Sequence, residues 1–103
     1  MGAVYEDDVT LVARSAGGDR PAFAQIVARY QSLVCSIAYS ATGSVSRSED
    51  VAQETFLAAW RSLGELREPE RLRAWLCAIA RRLAFNRIRS EGTEPAHDAR
   101  HRL

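Results

Sequence analysis

Apolar residues recur in this chain in steps of three and four. The clearest run is Phe23, Ile26, Val27, Tyr30, Leu33, Val34, Ile37 and Ala38. A helix turns once in about 3.6 residues, so these steps return to one face. A strand needs alternation, and neither sustained alternation nor the turn pairs that favour hairpins occur. A chain patterned this way must bury helical stripes against one another.

Glycine, proline and small polar residues divide the pattern into four helices. The first spans about Asp7 to Ala16, with Val9, Leu11, Val12 and Ala16 apolar, Asp7 or Asp8 as cap, and Gly17 and Gly18 as the stop. The second opens at Asp19 with Pro21 in its first turn and ends near Thr42 and Gly43. The third starts at Ser46 or Ser48, and Ser46 with Glu49 matches a capping box. Its stripe is Val51, Ala52, Thr55, Phe56, Ala59 and Leu63, and Gly64 ends it. After a loop over residues 64–68, Pro69 begins a fourth helix that reaches about Ser90. Its inward stripe is Leu72, Trp75, Leu76, Ile79, Ala80 and Leu83. The expected fold class is therefore all-α, a compact four-helix domain over residues 1–90, with 91–103 as a polar tail or linker. At 103 residues and 47% hydrophobic content, such a domain can carry its own core.

Cys35 and Cys77 are too few for a disulfide framework, show no C-x-x-C spacing, and read as reduced thiols filling helix flanks. There is no apolar leader run, and no stretch approaches about 18 uninterrupted apolar residues. The expectation is a cytoplasmic protein with no membrane contact.

The charge is unevenly placed. Between Arg71 and Arg89 stand six arginines and no acid, whereas the preceding 70 residues hold ten acids and six arginines. The whole chain is nearly neutral at +1, so the positive charge is concentrated on one element. At about 100° per residue, Arg71, Ala78, Arg82, Asn86 and Arg89 share one flank of the fourth helix, beside Trp75 and near Phe85. Guanidinium groups suit phosphates, an amide suits a base edge, and aromatic faces suit stacking. The plainer reading is a solvated basic face with Trp75 in the core. On the third helix Glu49, Asp50, Gln53 and Glu54 cluster near the start. Acids there favour the helix dipole, or they form a docking patch for a basic partner.

The string from Ser48 to Trp60, SEDVAQETFLAAW, resembles the conserved-region-2 helix of bacterial sigma factors, above all the extracytoplasmic-function (ECF) group. The string from Arg73 to Arg89, RAWLCAIARRLAFNRIR, is similar to that group's promoter-recognition helix. The segment from Gly18 to Tyr30 resembles its first core helices. The resemblance covers about residues 7–90 in order and with ordinary spacing.

The resemblance implies a small all-helical region 2 domain. It implies that Asp50, Gln53 and Glu54, with Glu49 beside them, bind the clamp helices of the largest catalytic subunit of core RNA polymerase. It also implies that segments 64–72 and 75–89 capture the non-template strand of the minus-ten promoter element. Arg82, Asn86 and Arg89 would meet the melted strand, Arg71 and Arg73 its phosphates, and Trp75 and Phe85 would add aromatic surface. An anti-sigma factor is a further implied partner. Where the family often has phenylalanine, this chain has Leu66 and Leu72. A common Ala-Arg-Asn reads Ala80-Arg81-Arg82, and a common aspartate is Asn86. The family's second helical domain, region 4, has no counterpart after Ser90, so 91–103 is expected to begin the linker towards it.

Two other readings compete. One is a helical protein–protein adaptor without DNA binding. The other is a double-stranded-DNA repressor of helix-turn-helix type, for which the long fourth helix lacks the short turn and paired recognition helix. No catalytic constellation or phosphate-cradling loop is recognisable, so neither an enzyme nor a cofactor is expected. His97 and His101 have an i, i+4 spacing, but they stand in the expected tail with only Asp98 nearby, and no metal site is expected.

Overall fold

In the computed structural model of the chain, residues 6–92 are described, with side chains through Ser90. Among them run four α-helices and no strand: α1 (Asp8–Ala16), α2 (Arg20–Thr42), α3 (Val45–Ser62) and α4 (Leu72–Gly92). Two 3-10 turns, Leu63–Glu65 and Pro69–Arg71, join α3 to α4.

Each of the first three helices starts where a side chain can take an unpaired N–H. Asp7 accepts from the Thr10 N–H at 2.9 Å, Asp19 from the Ala22 N–H at 3.1 Å, and Ser44 from the Arg47 N–H at 3.2 Å. The first two caps match the sequence expectation, and the third corrects it. The capping box at Ser46 does not form, because Ser44 starts the helix two residues earlier. Ser48 is instead buried and donates to the Val45 carbonyl at 2.7 Å. At the end of α2, Gly43 adopts φ 68°, a left-handed conformation that glycine enters without a Cβ clash.

α2 packs against each of the other three helices, and α3 and α4 also pack on each other. Leu11, Ile26, Val34, Leu72 and Leu76 are fully buried at the centre. Full burial of such a side chain stabilises by about 1.5–3 kcal/mol. The stripe expected for α3 is inward throughout. On α1 only part of it is: Leu11, Val12 and Ser15 are buried, whereas Val9 is 44% exposed and Ala16 faces solvent. Pro69 opens a 3-10 turn rather than the α-helix, which begins at Leu72 and continues two residues past Ser90. His97, Asp98, His101 and the remainder of the expected tail lie outside the described residues.

Polar groups pin α1 onto α2. Arg29 donates to an Asp8 carboxylate oxygen and to the Glu6 carbonyl, each at 2.8 Å. Tyr30, expected in the apolar stripe, packs its ring there and donates its hydroxyl to Asp8. Arg14 pairs with Glu6 and, at 2.9 Å through Nε, with Asp19. The Ala22 N–H and then Arg14 hold the Asp19 carboxyl below the ordinary carboxylate range. The Thr10 N–H does the same for Asp7.

Candidate functional site

The early start of α3 changes the meaning of its acids. With Val45 as the first helical residue, the first turn holds no acid. Glu49, Asp50 and Glu54 then stand in the second and third turns, where the helix dipole has largely faded. Dipole stabilisation therefore no longer accounts for them. All three, and Gln53, are exposed.

Beside this patch a groove of about 730 Å³ opens between α2 and α3. Phe23, Val27, Phe56, Leu57 and Trp60 supply its apolar wall, and Glu49 and Gln53 stand at its edge. The Trp60 ring meets Phe23 edge-on with centroids 5.0 Å apart. The groove was not foreseen from the sequence. Leu57, on its rim, is an exposed leucine at 54% in mid-helix.

On α4 the basic flank is formed largely as expected. Arg82, Phe85, Asn86 and Arg89 are exposed, and Trp75 is half-buried against the core. Phe85 presents 60% of its surface to solvent, and the Arg89 guanidinium lies 5.7 Å from its ring centroid. A cation over an aromatic face orients both groups. At the other end of this flank a shallower hollow of about 460 Å³ lies between the 3-10 segments and α4. Leu66, Arg67, Arg71 and Trp75 line it.

One expectation needs correction. Arg71 stands in a 3-10 turn, not in the helix, and makes a loose 3.8 Å pair with Glu68. Arg73, which was not among the residues of that flank, is exposed about 180° round the helix from Arg82. Leu72 is fully buried, as its place in the inward stripe of the fourth helix implied. Arg87, which the sequence reading left without a role, faces α3 and lies 3.6 Å from Asp50 and 3.8 Å from Glu54.

Both thiols are free, Cys77 buried and Cys35 half-buried. No group of three or more metal-ligating side chains occurs among the described residues. No helix among them is long and apolar enough to cross a membrane.

This helical unit matches the family model for sigma-70 region 2 over residues 26–94. The chain belongs to the sigma-70 family, as a region 2 domain of the ECF group. It is 41% identical over 81 residues to a probable RNA polymerase sigma factor, RfaY, of Xanthomonas campestris, covering 79% of this chain and 20% of that protein. It is 34% identical over 90 residues to the RNA polymerase sigma-H factor of Pseudomonas aeruginosa, covering 87% and 47%. With the ECF sigma factor SigW of Bacillus subtilis it shares 34% identity over 82 residues, 80% of this chain and 44% of SigW. The chain thus spans between a fifth and about half the length of these relatives. Among solved structures, it superimposes with a TM-score of 0.79 on an engineered region 2 of sigmaE in complex with GTAAAA, at 34% identity over 88% of this chain and 95% of the other.

Proposed function

We propose that this chain is the part of a transcription-initiation sigma factor that docks on core RNA polymerase and captures the melted minus-ten element. The observation that carries the reading is the separation of two exposed surfaces of opposite character on neighbouring helices. On α3, Asp50, Gln53 and Glu54 offer acceptors to a basic surface, the clamp helices of the largest catalytic subunit. On α4, Arg82, Asn86 and Arg89 present donors beside the face of Phe85. That combination suits an unpaired strand, because every base has a face to stack while an amide can read an edge. The hollow before α4, lined by Leu66 and Trp75, is of a size to hold an extruded base. An engineered region 2 of sigmaE, 34% identical and of the same fold, has been solved in complex with GTAAAA, which supports this reading. The domain supplies recognition and strand stabilisation, and no bond-making step is assigned to it. An anti-sigma factor would act by covering either surface.

The test uses the full chain with bacterial core polymerase. Asp50→Ala combined with Glu54→Ala should weaken association with core at least several-fold in a pull-down. The complex should bind a fluorescent minus-ten single strand with an affinity that falls with salt, by about 0.7 in the log–log slope per phosphate neutralised. Full retention of core binding by the acid variant removes the docking site. Salt-insensitive, sequence-blind behaviour towards the oligonucleotide favours the protein–protein adaptor instead.

A further inference from the structure

Arg87 departs from the other arginines of α4. It lies five residues after Arg82, about 140° round the helix, so it faces α3 rather than the proposed strand. Its side chain is only 24% exposed. Nη1 stands 3.6 Å from Asp50 Oδ2 and Nη2 3.8 Å from Glu54 Oε1, so one guanidinium straddles two carboxylates one helical turn apart. Both separations exceed a hydrogen bond, and the carboxylates remain 60% and 53% exposed. The contact is therefore a charge-neutralising one that a competing cation can displace. It also lies where apolar packing is thin. The cluster joining this end of α4 to its neighbours consists of Ala38, Val51 and Ala84, with Leu83 against it.

We infer that Arg87 is an intramolecular competitor for the polymerase-facing carboxylates, an electrostatic latch between the docking helix and the strand-binding helix. The inference rests on the docking role proposed for Asp50 and Glu54. In the free chain Arg87 lowers the negative charge that a basic partner meets. Docking exchanges Arg87 for a cation of the partner, and the last turns of α4, which carry Asn86 and Arg89, lose their tie to α3. Docking and strand capture are then coupled through one side chain, with no movement of the core.

The experiment compares parent, Arg87→Gln, Asp50→Asn with Glu54→Gln, and the triple variant. Binding of the full chain to bacterial core polymerase is followed by fluorescence anisotropy, and the Arg87 Nε–Hε resonance by NMR in the free chain. Arg87→Gln should bind core about two- to fivefold more tightly, the scale set by one or two exposed ion pairs. The gain should vanish in the triple variant. The Arg87 resonance should move when the two acids are neutralised. If Arg87→Gln binds no more tightly while the acid variant still weakens binding, the latch is refuted and the docking surface stands. If the acid variant has no effect, both fall. An Arg87 resonance indifferent to the neutral acid variants removes the latch without reference to polymerase. Circular dichroism of each variant separates these outcomes from loss of fold.

Discussion

Replacing Phe85 with alanine separates the strand-binding role from the stability of the fold. The ring is 60% exposed, so about 40% of its surface is buried. Full burial of a phenylalanine is worth about 1.5–3 kcal/mol, so the lost packing amounts to roughly 0.6–1.2 kcal/mol. The Arg89 contact at 5.7 Å adds about 0.5–1 kcal/mol at an exposed position. Phe85→Ala should therefore lower stability by roughly 1–2 kcal/mol. That corresponds to a fall in Tm of about 4–16 °C for a domain of this size, leaving the chain folded at room temperature. Loss of a stacked base costs more in binding. At about 1–3 kcal/mol per base, affinity for a minus-ten single strand should drop about 5- to 150-fold. The assay is fluorescence anisotropy of a labelled single strand against the full chain bound to core polymerase, with thermal melting of the same samples alongside. Phe85→Leu is the comparator, since it keeps apolar bulk and gives up stacking. If both variants hold the strand as tightly as the parent, Phe85 is a bystander and the strand does not run along this flank.

Asn86→Ala should reduce discrimination among minus-ten sequences while core association is unchanged, as read by open-complex formation on promoter variants; unaltered preference would remove Asn86 from base readout. Ser15 is 3% exposed, and its Oγ has no hydrogen-bond partner among the described residues. Ser15→Ala should accordingly raise stability by about 1 kcal/mol in urea unfolding, through relief of an unpaired hydroxyl and better helix propensity; destabilisation would reveal a hidden partner. Asp19 has its carboxyl pKa lowered in the folded chain, first by the Ala22 N–H and then by Arg14. Its contribution is complete above the unfolded value of about 3.9 and fades as pH falls through the lower folded value. Asp19→Asn keeps a good cap without a titrating group, so the stability difference between parent and variant should shrink below about pH 4 in an acid titration. A difference that stays constant with pH would refute that assignment.

The helices of this chain are legible in its sequence because local rules dominate them. Steps of three and four marked the inner faces of α2, α3 and α4, and Asp19, Pro21 and Gly43 marked both ends of α2. The exposed flank bearing Arg82, Asn86 and Arg89 was legible for the same reason, since residues three and four apart share a face whatever the helix packs against. The acids of α3 stood out as a cluster in the sequence, and family likeness gave them a docking role.

Other features required helices to meet. Ser44 outcompeted Ser46 as the cap, a choice between two chemically equal hydroxyls that packing can decide. That choice moved Glu49 and Asp50 out of the first turn, and set Glu54 deeper in the helix, away from the dipole. Arg14, Arg29 and Tyr30 found partners 5 to 23 residues away, and Arg87 found acids on a different helix. The groove beside Trp60 is lined by side chains of both α2 and α3, so it exists only once those helices meet. Periodicity along a chain specifies which residues share a face. It carries no information about which face of a second helix will lie opposite, and ion pairs, grooves and choices between caps are settled there.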